Sequence, residues 1–461
     1  MAFKLGDFEM FKRKIYNELL EWKESRAPKS ALLIEGARRI GKTTLVSEFA
    51  KNEYESYLLI DFSLVSGEFT QVFLDLRTNI DAFFSYLEAT FGTTLKVNKT
   101  LIVFDEVQLF PKAREFIKHL VADGRYHYIE TGSLISLKSN VQDILLPSEE
   151  ESIQMHPMDF EEFLWAMEEQ PLANLMKESS HSYNALPDDL HRKAMRLWGE
   201  YTLVGGMPEV VNSYKTSRNF EQVYHDQTII LGLYRNDIEK YGERNSKQVK
   251  AIFDAIPGAL SEHDKKLVWS EISQDARSRT YEQAIKWLED SSIVNLAVAC
   301  TEPSLSLALS AKWTSIKCYM GDTGLLTAQS FRSQNGVISD VYKRVLLGDS
   351  SVNQGMLTEN AVAQQLKASG HDLFFYSKWS TQAAERMEID FLTIQPFRDA
   401  ADKPRVSPIE VKNSNRYKIT SLKKFKSKFG SRVGTQYVLH PRQLIVEDGI
   451  VRLPLYMSGW I

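Results

Sequence analysis

One segment near the start of the sequence combines residue types and spacing that suit the binding of a nucleotide phosphate. It fits the pattern G-x-x-x-x-G-K-[ST]. Its residues are Gly36, Ala37, Arg38, Arg39, Ile40, Gly41, Lys42 and Thr43, with Thr44 next in the chain. The glycines let backbone N–H groups turn toward a phosphate at the positive end of the following helix. Lys42 is predicted to contact the β- and γ-phosphates of ATP during catalysis, and the Thr43 hydroxyl to ligate Mg²⁺.

A pair of acids belongs to the same predicted site. The apolar run 101–104 ends in Asp105 and Glu106. An acid at the end of a buried strand lies at the carboxyl edge of the sheet, where α/β folds bind ligands. Asp105 is predicted to hold Mg²⁺, and Glu106 to polarise the attacking water as a general base. The alternative, a strand followed by a solvated acidic turn, is disfavoured by the P-loop upstream.

The following apolar run, 127–131, ends in a Thr-Gly-Ser sequence. A hydroxyl group there, between the acids and the γ-phosphate, is suited to sensing the nucleotide state. The sequence does not choose between Thr131 and Ser133 for this role. The alternative is that Gly132 and Ser133 only form a turn.

Four polar residues near the C-terminus indicate a second chemistry. Glu359 lies on an amphipathic segment, Asp390 within one strand pattern, and Glu410 and Lys412 at the end of another. This spacing predicts neighbouring strands with Asp390, Glu410 and Lys412 on one face. Because Mg²⁺ prefers carboxylate oxygens, Glu359, Asp390 and Glu410 are predicted metal ligands. Asp390, Glu410 and Lys412 would be catalytic in phosphate cleavage, with Lys412 orienting the water or stabilising the developing phosphorane charge. Whether they cleave stays open, because a fold does not carry its activity with it.

These residues must be positioned by regular elements. The short apolar runs 31–35, 56–62, 101–106 and 127–131 are typical of buried parallel strands, and amphipathic stretches separate them. That alternation predicts an α/β fold with a parallel sheet covered by helices. The residues from 158 to 245 have a helical pattern that breaks at a Gly-Gly-Met-Pro sequence.

The remaining chain suggests further domains, since 461 residues exceed the size of one typical core. Three short helices and a hairpin predict a winged-helix module, whose helix 280–290 opens with the capping-box pair Thr280 and Gln283 and buries Ile285 and Leu288. The predicted regions are an ATPase core (1–165), a helical lid (166–245), the winged-helix module (246–326), a linker or irregular connection (327–355) and a mixed helix–strand domain (356–461).

Charge gives a mixed indication of partners. The net charge is −4, yet the segment 405–432 contains nine Lys or Arg residues and one acid. Such a surface can bind DNA phosphates, but a basic run is equally typical of a solvated helix face. The helix 277–290 carries Arg277, Arg279 and Lys286 and would be the element that enters the major groove. Winged helices also serve as protein-interaction modules.

Composition excludes several classes of protein. No run of eighteen apolar residues occurs, so no membrane partner is expected. The N-terminus lacks the pattern of a signal peptide. The two cysteines, Cys300 and Cys318, have no metal-ligand spacing. They fit a reduced, cytoplasmic protein.

The order of these segments resembles a known family, the prokaryotic AAA-type ATPases with a C-terminal domain of the restriction-endonuclease-like, PD-(D/E)XK type. The resemblance covers nearly the whole chain and rests on GARRIGKTTLV (36–46), LIVFDEVQ (101–108), ETGSLISL (130–137), PMDFEEFL (157–164), VGGMPEVV (204–211), LYRNDIEKY (233–241), CYMGDTGLL (318–326), MLTENAVAQQL, EIDFL and PIEVKN. It implies an additional-strand P-loop NTPase core, a helical lid, a winged helix and a nuclease-like α/β domain.

The chain departs from this family at one place. Many relatives carry Gly-Arg before the strand that leads into the Pro-x-x-Phe motif, whereas this chain has Pro-Ser-Glu-Glu-Glu at 147–151. An arginine finger at that point is therefore not supported, and Arg38, Arg39 and Arg235 remain as candidates.

Two hypotheses follow. The first is an ATP-driven switch that controls DNA engagement or metal-dependent cleavage by the C-terminal domain. The second is a nucleotide-dependent binding protein or scaffold whose nuclease-like domain is catalytically dead. Assembly into a homo-oligomer stays open.

Overall fold

The computed structural model describes residues 10–133, 148–241, 245–272, 278–332, 338–346, 354–382, 385–394 and 405–461. The chain divides into two units. The first unit is the part that ends at His156, together with Asp290–Ser292. The second unit comprises Pro157–Glu289 and Ile293–Ile461.

A parallel sheet forms the centre of the first unit. Its strands are β1 (Ala31–Gly36), β2 (Ser56–Asp61), β3 (Thr100–Asp105), β4 (His127–Ser133) and β5 (Glu150–Gln154). Their order is β2-β3-β4-β1-β5. Every residue of β3 is buried, as expected for a parallel strand covered on both faces. The four strands predicted from apolar runs are confirmed, and β4 lies between β3 and β1.

Helices of the first unit cover this sheet. They are α1 (Ile15–Ser25), α2 (Lys42–Glu53), α3 (Gly67–Asp75), α4 (Ile80–Phe91) and α5 (Lys112–Asp123). The side chain of Ser66 caps α3 by accepting the N–H of Phe69 at 3.1 Å. Phe73 lies at the centre of the aromatic core, where the ring centroids of Phe83 and Phe116 are 4.9 Å and 5.9 Å away. These contacts fix the helices against β2 and β3.

The second unit begins with a helical region, as predicted. Its helices, with those that follow along the chain, are α6 (Phe160–Ala166), α7 (Gln170–Ser182), α8 (Asp188–Val204), α9 (Pro208–Ser217), α10 (Phe220–Tyr241), α11 (Ser246–Ser261), α12 (Trp269–Ile272), α13 (Ser278–Asp290), α14 (Thr323–Ser330), α15 (Ile338–Leu346), α16 (Gln354–Ala368) and α17 (Thr420–Phe429). A capping box starts α6, where Asp159 and Glu162 each accept the other's backbone N–H. Of the predicted pair at α13, the Thr280 side chain lies outside the described residues, whereas Ile285 and Leu288 are buried as predicted.

A mixed sheet forms the rest of the second unit. Its strands are β6 (Val294–Cys300), β7 (Ala311–Met320), β8 (Phe374–Lys378), β9 (Met387–Ile394), β10 (Val406–Val411), β11 (Gln436–His440), β12 (Ile445–Glu447) and β13 (Ile450–Pro454). Their order is β12-β13-β11-β10-β9-β8-β6-β7. β9 and β10 pair antiparallel, so the predicted placement of Asp390 and Glu410 on neighbouring strands is confirmed.

Two predicted boundaries differ from this architecture. β6 and β7 pair antiparallel, as a hairpin should, but β6 also pairs with β8 through Val298 and Ala299. The hairpin of the predicted winged-helix module therefore belongs to the same sheet as the strands of 356–461. Every residue of β6 is buried, which suits a strand inside a sheet better than an exposed wing. The predicted linker 327–355 includes α15, so it is not irregular throughout.

A close backbone approach holds the Gly-Gly segment of the second unit. The N–H of Gly206 donates to Asp322 Oδ2 at 2.6 Å, and Asp322 Oδ1 caps α14 by accepting the N–H of Leu325 at 3.0 Å. A Cβ at Gly206 would overlap the carbonyl oxygen of Met158. Only glycine fits there, which explains in physical terms why a Gly-Gly turn lies between α8 and α9.

Helix α16 is buried on all sides from Met356 to Leu366, although it contains several polar residues. Several of these form specific bonds. Asn360 exchanges two hydrogen bonds with the backbone of Met320, at 2.7 Å and 3.1 Å. Gln365 accepts the N–H of Phe160 at 2.8 Å. Because buried polar groups stabilise a fold only when they are paired, α16 fixes the helical region and the sheet of this unit in one arrangement.

Candidate functional site

The loop between β1 and α2 has the backbone conformation of a phosphate-binding loop. Gly36 has φ +153°, and a Cβ there would overlap the carbonyl oxygen of Met155. Gly41 has φ +93° and precedes Lys42, the first residue of α2. Both glycines are therefore required by the path of the chain, which turns the loop around the N-terminus of α2. Thr43 and Thr44 follow in the first turn of that helix.

Arg13 supports this loop and was not found from the sequence. Its buried guanidinium donates to the carbonyl oxygen of Ile40 at 3.1 Å and to that of His156 at 2.6 Å. Arg13 precedes β1 by many residues, so its role depends on the fold. No spacing pattern contains this information.

Lys42 is buried and directed into the loop. Its Nζ donates to the carbonyl oxygens of Gly36, at 3.0 Å, and Ala37, at 2.8 Å. Burial lowers the pKa of Lys42 to about 8, although the carboxylates of Glu106 and Asp105 favour its charge. The ammonium thus lies within the loop that a phosphate would enter.

Asp105 brings together three separate segments of the chain. It is 2% exposed, at the end of β3. Its Oδ1 accepts hydrogen bonds from the hydroxyl of Thr43, at 3.2 Å, and from that of Thr131. Burial raises the pKa of Asp105, and these two hydrogen bonds oppose that rise. Thr131 therefore contacts the acid directly, whereas the backbone of Ser133 pairs with Gly36 and its side chain lies outside the described part.

Glu106 follows at the point where the chain leaves the strand. Its backbone is left-handed, with φ +54° and ψ +44°, which is unusual for a residue other than glycine and is typical of functional sites. The side-chain amide of Gln108 donates to its carboxylate. Glu106 is half-buried, so its carboxylate lies at the rim of the site.

Asp61 is a further acid of this edge that the sequence interpretation missed. It ends β2 opposite Asp105, and its charge contributes to the raised pKa of Asp105. Its Oδ1 accepts the backbone N–H and the hydroxyl of Ser63, at 2.8 Å and 2.6 Å. The sequence did contain an indication of Asp61, because the apolar run 56–62 carries an acid near its end, as the run 101–106 does.

The residues of this edge fit a magnesium nucleotide. The hydroxyl of Thr43 and the carboxylate of Asp105 are the oxygen donors that Mg²⁺ prefers. A cation also stabilises a carboxylate whose charge is disfavoured by burial. Lys42 and the N–H groups of the glycine loop supply the complementary donors for phosphate.

The arginine candidates differ in their surroundings. Arg38 and Arg39 are exposed in the loop, and Arg39 has φ +70°. Arg235, on α10, forms an ion pair with Asp254 at 3.0 Å and lies over the ring of Phe253. Arg235 is thus held by contacts within the second unit.

The C-terminal acids surround a lysine that the sequence interpretation did not single out. Lys317, on β7, is 1% exposed. Its Nζ lies 3.2 Å from Glu359, 2.9 Å from Glu388 and 3.8 Å from Asp390. Burial lowers the pKa of Lys317, but these carboxylates outweigh that effect and raise it above its ordinary value. We call these four residues the lysine-centred cluster.

Glu359 and Asp390 have other partners as well. Glu359 pairs with Lys265 and accepts the hydroxyl of Tyr319 at 2.6 Å. Burial disfavours the charge of Glu359, yet its lysine partners hold its pKa below the usual range. Asp390 Oδ2 accepts the N–H of Val411 at 2.9 Å.

Glu410 and Lys412 pair with each other at 2.7 Å. Burial raises the pKa of Glu410, and Lys412 opposes that rise. No group of three or more His, Cys, Asp or Glu side chains within the described ranges is arranged to hold a metal ion. The metal site predicted from Glu359, Asp390 and Glu410 stays a prediction; in this structure the ammonium groups of Lys265, Lys317 and Lys412 lie beside these acids.

The predicted basic surface is centred on α17. Leu422, Phe425 and Phe429 are buried on one face of this helix. Of the lysines, Lys426 donates to the carbonyl oxygen of Val433 at 2.9 Å, whereas Lys423 is exposed. The exposed lysines of α17 thus lie on the outer face of an amphipathic helix, which is compatible with both interpretations of the segment 405–432.

The other predicted DNA element is only partly described. Arg277 and the side chain of Arg279 lie outside the described residues. The Nζ of Lys286 lies 5.7 Å from the ring centre of Trp313, which is exposed. A cation and an aromatic ring on one surface are compatible with either DNA or protein contact.

Comparison with family models assigns parts of the chain. Residues 28–164 match an AAA domain. Residues 195–335 match a domain of unknown function, DUF8612, and residues 354–457 match another, DUF4143. Most of the first unit is therefore similar to an AAA domain. Neither of the other two matches indicates a nuclease.

Solved structures give weaker similarities. PCH-2 of C. elegans is 14% identical, over 40% of this chain and 52% of that one, with a TM-score of 0.22. A STAND signal-transduction ATPase with a tetratricopeptide-repeat sensor from Pyrococcus horikoshii is 14% identical, over 78% and 48%, with a TM-score of 0.28. AMPPCP-bound DnaA from Aquifex aeolicus is 11% identical, over 75% and 96%, with a TM-score of 0.23.

The chain thus spans about half the length of the first two proteins. Comparison with curated proteins gives no significant match.

None of the helices in the described ranges is long and apolar enough to cross a membrane.

The depressed pKa of Lys42 predicts a pH dependence of nucleotide binding. Its ammonium should lose its proton as the pH rises through about 8. ATP affinity, measured by equilibrium titration with a fluorescent ATP analogue, is expected to fall by up to about tenfold per pH unit above the pKa. In Lys42→Arg, the guanidinium keeps its charge, so any remaining affinity should stay flat. A pH-independent affinity in the wild-type protein would contradict the assignment.

Proposed function

We propose that the chain is an ATP-binding and ATP-hydrolysing AAA-type ATPase. The observation that carries this proposal is the convergence of Lys42, Thr43, Thr131 and Glu106 around Asp105 at one edge of the sheet. The AAA-domain match over 28–164 supports it independently.

Each residue of this edge has a proposed role. Lys42 exchanges its bonds to the loop carbonyls for bonds to the β- and γ-phosphates, and the glycine loop supplies N–H donors. Thr43 and Asp105 hold Mg²⁺, which neutralises phosphate charge when it is bound.

Glu106 and Thr131 complete the proposed site. Glu106 accepts a proton from the attacking water, and Gln108 holds its carboxylate in place. Thr131 donates to Asp105 and so positions that carboxylate between β3 and the P-loop. Through this bond, Thr131 is suited to reporting the nucleotide state.

The second unit supports a binding role better than a cleaving one. The family resemblance implies a nuclease-like fold for its C-terminal domain. However, Lys317 already compensates the acids that a nuclease would use for its metal. We therefore favour the second hypothesis for this domain, a nucleotide-controlled binding module, over metal-dependent cleavage.

The proposed partner of this module is nucleic acid. Lys423 and its neighbours on the outer face of α17 supply positive charge, which contacts phosphates in a sequence-independent way. Helix α13 is a second proposed contact. Assembly into a homo-oligomer and a cytoplasmic location remain proposals.

The ATPase proposal is tested by two variants, one of which should lose ATP affinity and the other ATP turnover. Lys42→Ala removes a buried cation from the phosphates, so ATP affinity should fall roughly 10- to 100-fold. Glu106→Gln should keep ATP affinity but lower turnover by roughly 10²- to 10⁴-fold. Equilibrium titration and a steady-state phosphate-release assay measure the two quantities separately.

Matched controls lie on the same helix α2. Lys51 and Glu48 form an exposed pair at 2.6 Å, so Lys51→Ala and Glu48→Gln should leave both quantities unchanged. Equal loss of binding in Lys42→Ala and Glu106→Gln would contradict the separate roles. Unchanged turnover in Glu106→Gln would exclude it as the base.

The variant Lys317→Met tests whether the ammonium of Lys317 compensates the acids of the second unit, as the proposed binding role requires. Removing the ammonium leaves Glu359 with Lys265 as its remaining cation and takes the shared cation from Glu388 and Asp390, which should destabilise the protein by about 3–5 kcal/mol. Mn²⁺ should then restore part of the stability, because a divalent cation can replace the lost charge. The melting temperature of the full chain, after treatment with chelator and with Mn²⁺ added back, reports both effects.

Lys317→Arg is the matched control, since it retains the charge. The wild-type protein and this control should show little change with Mn²⁺. If Mn²⁺ instead stabilises the wild-type protein, and Asp390→Asn abolishes that effect, the acids form a metal site and the cleavage hypothesis is restored.

A further inference from the structure

A cleft with a volume of about 630 Å³ opens in the second unit. It is formed by residues 415–417, His440, residues 442–445, Glu447 and Arg452. This volume lies within the range of about 300–1,000 Å³ typical of pockets for small ligands. Arg416 belongs to the basic segment 405–432, but none of the roles assigned above involves the cleft itself.

The cleft lies where strands end. β10 and β11 run parallel, with Val411 opposite Leu439. Residues 415–417 follow β10, and His440 is the last residue of β11. Open α/β sheets bind ligands in the crevice beyond the carboxyl ends of their parallel strands. The position therefore favours a ligand site on topological grounds.

The charge of the cleft is positive. Arg416, Arg442 and Arg452 line it, and Glu447 is the carboxylate on its wall. Arg452 pairs with Glu447 at 3.1 Å, and Arg442 donates to the carbonyl oxygen of Asn415. Both Arg416 and Arg442 are exposed. Guanidinium groups match the geometry of phosphate oxygens, so the cleft is suited to a phosphate group.

His440 fixes an aromatic wall in this cleft. Its Nε2 lies 3.2 Å from the carbonyl oxygen of Gln443, and its Nδ1 lies 2.9 Å from the hydroxyl of Tyr417. Because a carbonyl oxygen only accepts, Nε2 carries the proton and Nδ1 accepts from Tyr417. Burial lowers the pKa of His440 to about 4, so the imidazole is neutral near pH 7. The neutral imidazole of His440 thus holds the ring of Tyr417 in place and adds no charge to the cleft.

We propose that this cleft binds a phosphorylated ligand, a nucleotide unit that is either free or part of a nucleic-acid strand. Arg416 and Arg442 contact its phosphate, and the ring of Tyr417 contacts its base. Stacking of bases on aromatic side chains is tolerant of sequence. The proposal goes beyond ATP hydrolysis and does not rest on it, because no residue of the P-loop takes part.

The test uses the full chain with Lys42→Ala, which weakens nucleotide binding by the P-loop. AMP is titrated by calorimetry, and a fluorescein-labelled single-stranded DNA of about 12 nucleotides by anisotropy. The double variant Arg416→Ala/Arg442→Ala should lower affinity by about tenfold or more. Glu447→Gln should raise affinity, because it removes the carboxylate from the cleft. Arg196→Ala is the matched control, since Arg196 is an exposed arginine of α8 with a side chain 67% exposed.

The two probes distinguish the sources of the phosphate. Arginine-dependent binding of AMP indicates a free nucleotide. Arginine-dependent binding of DNA alone, weakening steeply with salt, indicates a strand. Binding of neither probe, or binding that the double variant leaves unchanged while circular dichroism shows an intact fold, overturns the proposal. Failure here leaves the ATPase proposal intact, since that proposal is measured by phosphate release from ATP in the protein with Lys42.

Discussion

The buried carboxylate of Asp105 is the constraint around which the first unit is organised. A charge at this depth is costly unless donors or cations compensate it. Thr43 supplies one donor from the P-loop helix, and Thr131 supplies another from β4. The strand order places β4 between β3 and β1. One hydroxyl therefore reaches the oxygen of Asp105 from a segment that precedes it in the chain, and the other from a segment that follows it. The glycine loop, the buried Lys42 and the two hydroxyls then form one electrostatic unit that is suited to a magnesium nucleotide.

The second unit meets a similar requirement in a different way. Its buried acids are compensated from within the protein, by Lys317, Lys265 and Lys412. Removing one partner of a buried ion pair destabilises a protein by more than the intact pair stabilises it. Such a cluster is therefore stable only when all its members are present. This difference between the two units supports the division of roles proposed above. The first unit would accept a metal cation together with a nucleotide, whereas the acids of the second unit are compensated by its own lysines.

Much of this arrangement could be predicted from local sequence. The buried strands were visible as apolar runs, and the P-loop was visible because its glycine spacing has few other uses. Lys317 was not visible, because a lysine within a strand pattern is normally a surface residue and is almost never buried unless it is paired. The pairing of β6 with β8, the burial of α16 and the contact of Arg13 with Ile40 also depend on residues far apart in the chain. Local propensity carries no information on such contacts.

The first unit is proposed to turn over ATP with magnesium. Phosphate release from ATP by the purified wild-type chain, measured with Mg²⁺ and then with excess chelator, tests this proposal. Steady turnover is expected with Mg²⁺ and none with chelator, and Mg²⁺ added back should restore it. Tight binding of ATP with no phosphate release under either condition would contradict it.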